Sequence, residues 1–132
     1  RILMQYGCVG YVMRHEDYHN APISNLYIQI ARWCNQQQFY KKMSFWEFAY
    51  RNQSYWEEHT LHKTDRPRLK SYKEFEADCM NGYYGEGKGQ VKMCLPLHTV
   101  VRTLEKFSEH KEELLEMFNY KMSELMDENL WK

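Results

Sequence analysis

FYKKMSFWEFAYRNQSYW, residues 39–56, holds eight aromatic side chains in eighteen positions and contains a strong helix start. Ser44 and Glu47 have the spacing of a capping box, in which each side chain accepts a hydrogen bond from the backbone amide of the other residue. A helix beginning after Ser44 is therefore predicted; the alternative is a helix that starts near Gln38 and contains Ser44. One face of that helix would carry Phe45, Phe48, Ala49, Asn52, Tyr55, Trp56 and His59.

The aromatic side chains of residues 39–56 are too many for one inward face. We expect Trp46 and Tyr50 to point outward, and large exposed apolar side chains with cations around them are typical of a partner or membrane-interface surface. The alternative is that a second helix covers this side. The predicted surface comprises Lys41, Lys42, Trp46, Tyr50 and Arg51, with Tyr83, Tyr84 and Trp131 as further exposed aromatics.

Helical spacing also occurs on both sides of this stretch. From about Ser24 to Cys34, apolar residues recur with the spacing of a helix. Ser71 and Glu74 repeat the capping-box spacing, and Asn81-Gly82 predicts the end of that helix. Residues 82–90 hold four of the six glycines and are predicted to be a loop. The shared face of the helix after Ser71 carries Tyr72, Phe75, Glu76 and Cys79.

The clearest apolar periodicity begins at Pro96 and predicts one helix to at least residue 118, with a break near Asn119. Ser108 and Lys111 interrupt its apolar stripe. No segment alternates as a strand over more than five residues. The predicted fold is therefore all-α, a compact bundle of four to five helices in a single domain spanning residues 1–132.

Length and charge narrow the function classes. The 132 residues suit one domain, and 18 basic side chains balance 18 acidic ones. This neutrality argues against a nucleic-acid partner bound through bulk positive charge. Apolar runs are shorter than the roughly 18 residues of a membrane span. The start at Arg1, without Met or an apolar leader, predicts a processed, secreted protein.

Four cysteines, an even number at wide spacing and without a CxxC pair, favour disulfides over zinc ligation. Three connectivities are open, of which we prefer Cys8–Cys34 with Cys79–Cys94. The alternative is four buried thiols.

Candidate catalytic groups are few. His15-Glu16-Asp17-Tyr18-His19 spells HExxH, which on a helix lets two histidines share a zinc with Glu16 as general base. Pro22 follows closely, and fourteen preceding residues leave little chain for a supporting sheet. We therefore favour a polar turn and keep a zinc peptidase as an alternative; His59 and His62 are a weaker metal pair. The expected protein is not an enzyme and needs no catalytic residue, metal or cofactor.

The segment KKMSFWEFAYRNQSYW resembles the central helix of the abalone sperm lysins. The positions that match as identities or close substitutions are Lys41, Lys42, Phe45, Trp46, Gln53, Ser54 and Trp56. Arg66-Pro67 and Tyr72 resemble the helix–loop–helix that follows. Chain length and the first-position arginine also agree with the family.

This resemblance implies a helical bundle secreted from the sperm acrosomal vesicle that acts by binding and not by catalysis. Lysins dissolve the egg vitelline envelope stoichiometrically and are strongly basic, whereas this chain is neutral and has Ala49-Tyr50 at the central arginine pair. These differences favour the family's fusagenic acrosomal paralogue. The predicted partner is thus the egg plasma membrane or an egg-coat glycoprotein, with a homodimer left open. A different secreted helical ligand-binding protein, with aromatics around an internal pocket, is the other alternative.

Overall fold

A computed structural model describes residues 2–8, 24–61 and 69–125, and within it the side chains of 54–61 are not described. These residues form eight α-helices and one short 3-10 helix. The helices are α1 (Ile2–Gln5), α2 (Ser24–Cys34), α3 (Gln37–Tyr40), α4 (Phe45–Leu61), α5 (Tyr72–Met80), α6 (Leu95–Lys106), α7 (Lys111–Phe118) and α8 (Met122–Leu125), with the 3-10 helix at Ser108–His110.

The all-α prediction is confirmed. Helix α6 packs against both α2 and α4, α3 packs on α2, and α1 contacts α8. Five of the described helices have at least eight residues, and α1, α3 and α8 have four each. The predicted four to five helices therefore correspond to the longer elements.

The start of α4 follows the predicted capping box. The Glu47 amide donates to Ser44 Oγ at 3.1 Å, and the Ser44 amide donates to Glu47 Oε1 at 3.5 Å. The alternative start near Gln38 is wrong, because the turn around Lys41 separates α3 from α4. Ser44 is buried, so its amide needs this internal acceptor.

Helix α5 also begins and ends as predicted. Ser71 and Glu74 form the reciprocal capping box, and Gly82 follows the helix with a φ of 74°, a left-handed conformation that glycine adopts without strain. The glycine-rich segment is a loop closed by a single backbone bridge between Tyr84 and Val91. Gln90 fastens it, since its Nε2 donates to the Gly82 carbonyl at 2.8 Å.

The single helix predicted from Pro96 to residue 118 is wrong. Helix α6 ends at Lys106, a 3-10 turn follows, and α7 begins at Lys111. The break falls where Ser108 and Lys111 interrupt the apolar stripe, so no continuous inward face exists there to hold one straight helix on the core. The predicted break near Asn119 is confirmed, because α7 ends at Phe118.

The expected exposure of Trp46 and Tyr50 is also wrong. Trp46 is 3% exposed and Tyr50 1% exposed. Helix α5 covers this side of α4: the Trp46 ring lies 5.6 Å from the Phe75 ring and 5.8 Å from the Tyr72 ring. The Trp46 indole N–H donates to the Lys70 carbonyl at 2.8 Å, which satisfies its one polar atom inside the protein. The described aromatics of 39–53 thus form a core, of which only Phe39 is half-buried.

The preferred disulfides are not formed; all four cysteines are thiols. Cys94 caps the start of α6 and donates through Sγ to the Ala49 carbonyl of α4 at 3.5 Å. Cys79 instead lines a cleft between α5 and α6, so the two thiols are directed to different surroundings. Cys8 is exposed whereas Cys34 is buried.

Candidate functional site

A basic cluster, defined here as Lys41, Lys42 and Arg51, lies on the surface around the end of α3. All three side chains are exposed. Arg51 extends from α4 and places its guanidinium 5.2 Å from the centre of the Phe39 ring, a cation–π contact. Lys41 and Lys42 follow Phe39 in the turn that separates α3 from α4, and the Lys42 amide donates to the Phe39 carbonyl at 3.2 Å. The three predicted cations therefore share one surface region.

Apolar side chains are exposed on α1, at the N-terminal end of the described chain. Ile2 is 70% exposed, and Leu3 and Tyr6 are about half exposed, whereas Met4 is buried in the core. Among the described elements, α1 contacts α8. Burial, then Cys34 and then Cys8, raises the pKa of Tyr40, the buried residue before Lys41. The described surface thus exposes both an apolar element and a cationic cluster.

Among the other aromatic residues predicted to lie on the surface, Tyr83 and Tyr84 are mostly engaged in packing against neighbouring rings. Tyr83 and Tyr84 are half-buried and contact each other edge to face at 5.0 Å. Tyr84 packs on Phe75 at 5.1 Å, and the Lys70 ammonium lies 5.0 Å from the Tyr83 ring centre. These rings join the glycine-rich loop to the core. Trp131 lies outside the described residues.

A cleft of about 340 Å³ lies between α5 and the α6–α7 corner. Phe75 and Leu104, both buried, form its base, and Val101 lines one wall. Met80 and Ser108 lie at its exposed edge. Its volume is at the small end of the range for ligand sites, and its base is apolar, as such sites usually are.

One end of this cleft carries a group of polar side chains. The Lys111 ammonium is 2.7 Å from Glu76 Oε2 and 5.5 Å from the centre of the Tyr72 ring. The Lys111 ammonium and a hydrogen bond from the Tyr72 hydroxyl hold the pKa of Glu76 below its usual range. Burial, followed by the bond to Glu76, raises the pKa of Tyr72, and burial raises that of Cys79. At neutral pH, therefore, Glu76 is ionised while Tyr72 and Cys79 are neutral.

Sequence reasoning did not identify this polar group, although each part left a signal. Glu76 falls on the apolar face of α5, and Lys111 interrupts the apolar stripe of the C-terminal half. A charge inside an apolar face requires a partner or solvent. The pairing itself joins residues 35 positions apart, and only the packing of α7 beside α5 brings them together.

The residues predicted as metal candidates cannot be placed. His15, Glu16 and His19, like His62, lie outside the described residues, and the side chain of His59 is not described. Within residues 2–8, 24–53 and 69–125, no three histidine, cysteine, aspartate or glutamate side chains lie close enough to hold a metal ion. In the same part of the chain, no helix is both long enough and apolar enough to cross a bilayer.

Comparisons with known proteins give no relative to set beside these sites. No family model matches the chain, and no curated protein or solved structure matches it either.

Proposed function

We propose that this chain is a secreted, non-enzymatic protein of the sperm acrosome that mediates sperm–egg membrane fusion by binding the egg surface. The resemblance of residues 41–56 to the central helix of the lysins supports the proposed relationship to that family. That stretch forms most of α4, which packs on α6 within an all-helical protein, as the resemblance implies. The neutral charge favours the fusagenic branch over the strongly basic, envelope-dissolving one.

The single observation that carries the proposed mechanism is that the described surface exposes both the basic cluster and the apolar side chains of α1. Burial of Trp46 and Tyr50 removes them as membrane contacts. Adsorption to a bilayer requires cations at headgroup depth and apolar side chains below them. The cluster of Lys41, Lys42 and Arg51 supplies the first requirement, and Ile2 and Leu3 supply the second.

Binding and fusion of phosphatidylserine-containing vesicles test this mechanism. Each cation near an anionic membrane contributes about 1 kcal/mol, so replacing all three by Gln lowers the partition constant about 100-fold. The double change Ile2→Ser and Leu3→Ser leaves adsorption largely intact but lowers lipid mixing, because it removes apolar insertion.

The matched control is the triple change of Lys73, Lys88 and Arg102 to Gln, which removes the same charge from other exposed positions. It should leave binding within about threefold of the unmodified protein, because those cations belong to α5, the glycine-rich loop and α6 and not to the cluster. Equal losses in both triple variants would show that only overall charge matters, and unchanged binding in the cluster variant would refute the proposal.

A further inference from the structure

The cleft between α5 and the α6–α7 corner has the dimensions of a small-molecule site and lies apart from the basic cluster. At roughly 30 Å³ for each water-sized group, its 340 Å³ holds about a dozen non-hydrogen atoms. Phe75, Val101 and Leu104 offer the occupant an apolar base that is already formed in this structure. Preformed apolar clefts with a few polar groups at one end are the usual form of ligand sites.

The charges around the cleft indicate which charge the head group of a ligand should carry. Glu76 and Glu105 contribute two carboxylates to its lining, and Lys111 contributes one ammonium. Lys111 is already paired with Glu76 at 2.7 Å, which leaves the carboxylate of exposed Glu105 in excess. An ammonium head group would be attracted to this carboxylate. An anionic head group would instead meet the excess carboxylate.

We infer that this cleft binds a small hydrophobic amine, with its alkyl chain on Phe75 and Leu104 and its ammonium beside Glu105. The alkyl chain removes apolar surface from water, which supplies most of the affinity. The ammonium meets the net negative charge of the lining, which supplies the preference among ligands of equal chain length.

Three probes with the same eight-carbon alkyl chain separate these contributions. Octylammonium, octanol and nonanoate differ in head-group charge. Isothermal titration of the full chain with each probe should give one-to-one binding of octylammonium, weaker binding of octanol, and an affinity for nonanoate at least ten times lower than for octylammonium. Tryptophan fluorescence provides a second readout, because the ring of Trp46, one of four tryptophans, is within 6 Å of two rings that line the cleft.

Two exposed glutamates form a matched pair of variants. Glu105→Gln should weaken octylammonium binding about threefold, the effect of a solvent-exposed ion pair, while octanol binding stays the same. Glu112→Gln removes the same charge from α7 outside the cleft and should change neither. Val101→Phe fills the cleft and should abolish binding of both probes; if that variant does not fold, the glutamate pair decides.

Absence of saturable octylammonium binding would overturn the inference. Equal affinities for octylammonium and nonanoate, or equal effects of Glu105→Gln and Glu112→Gln, would also overturn it. None of these results depends on vesicle binding by the basic cluster, so this inference and the proposed function can fail separately.

Discussion

Replacement of Trp46 measures how much the aromatic core of α4 contributes to the stability of the fold. The side chain is almost fully buried, contacts the rings of Tyr50, Tyr72 and Phe75 at 5.6–6.1 Å, and donates to a backbone carbonyl. Truncation of a buried Trp to Ala costs about 3–5 kcal/mol, most of it from lost burial and the cavity left behind. Loss of the indole donor accounts for about 1 kcal/mol of this cost. We therefore expect Trp46→Ala to destabilise the protein by about 4 kcal/mol.

The assay is urea unfolding followed by far-ultraviolet circular dichroism. Because small proteins have total stabilities of about 5–15 kcal/mol, this loss should shift the unfolding midpoint strongly. Trp46→Phe keeps an aromatic ring and should cost about 1–2 kcal/mol, since it removes the hydrogen bond and part of the buried area.

Tyr6→Ala is the matched control, because Tyr6 is an aromatic residue on the surface. Substitutions at such sites usually change stability by less than about 0.5 kcal/mol. If Trp46→Ala cost less than about 1 kcal/mol, Trp46 would be a surface residue, and the packing of α5 against α4 described above would be incorrect.

Three further predictions concern polar and thiol groups. Gln53→Leu should cost about 2–4 kcal/mol in the same unfolding assay. The reason is that the side-chain oxygen of the fully buried Gln53 accepts a hydrogen bond from the Cys94 amide at 2.7 Å. A smaller loss of stability would contradict that hydrogen bond. Glu76→Gln should lower stability above about pH 5, where the carboxylate paired with Lys111 is ionised. The difference from the unmodified protein should vanish as pH falls through the lowered pKa of Glu76, so a difference that persists in acid would exclude the ion pair as its source. Mass spectrometry after brief alkylation should find Cys8 modified before Cys94, because Cys8 is exposed and Cys94 is buried. It should also find no disulfide among the four cysteines, and an intact disulfide would contradict the structure.

Features that depend on a few neighbouring residues were predictable from the sequence. Both capping boxes need only a serine and a glutamate three residues apart, and the end of α5 needs only Asn81-Gly82. The cations at Lys41 and Lys42 are exposed as expected, since charged side chains are costly to bury without a partner.

Features that depend on packing between distant elements were not predictable. The exposure of Trp46 was predicted wrongly because α4 alone presents that side to solvent, and its cover is α5, more than twenty residues later. The same cause hid the Glu76–Lys111 pair. The break after Lys106 was visible only as two polar positions in an apolar stripe, which a long helix can accommodate on an exposed side.

Lysine acetylation footprinting of the protein bound to egg membrane vesicles tests most directly which residues meet the egg surface. The proposal is that the basic cluster, and not Trp46 or Tyr50, contacts the vesicle. It predicts that Lys41 and Lys42 lose reactivity toward an acetylating reagent on binding, whereas Lys73 and Lys88 keep theirs. Unchanged reactivity of Lys41 and Lys42 on bound protein would contradict it.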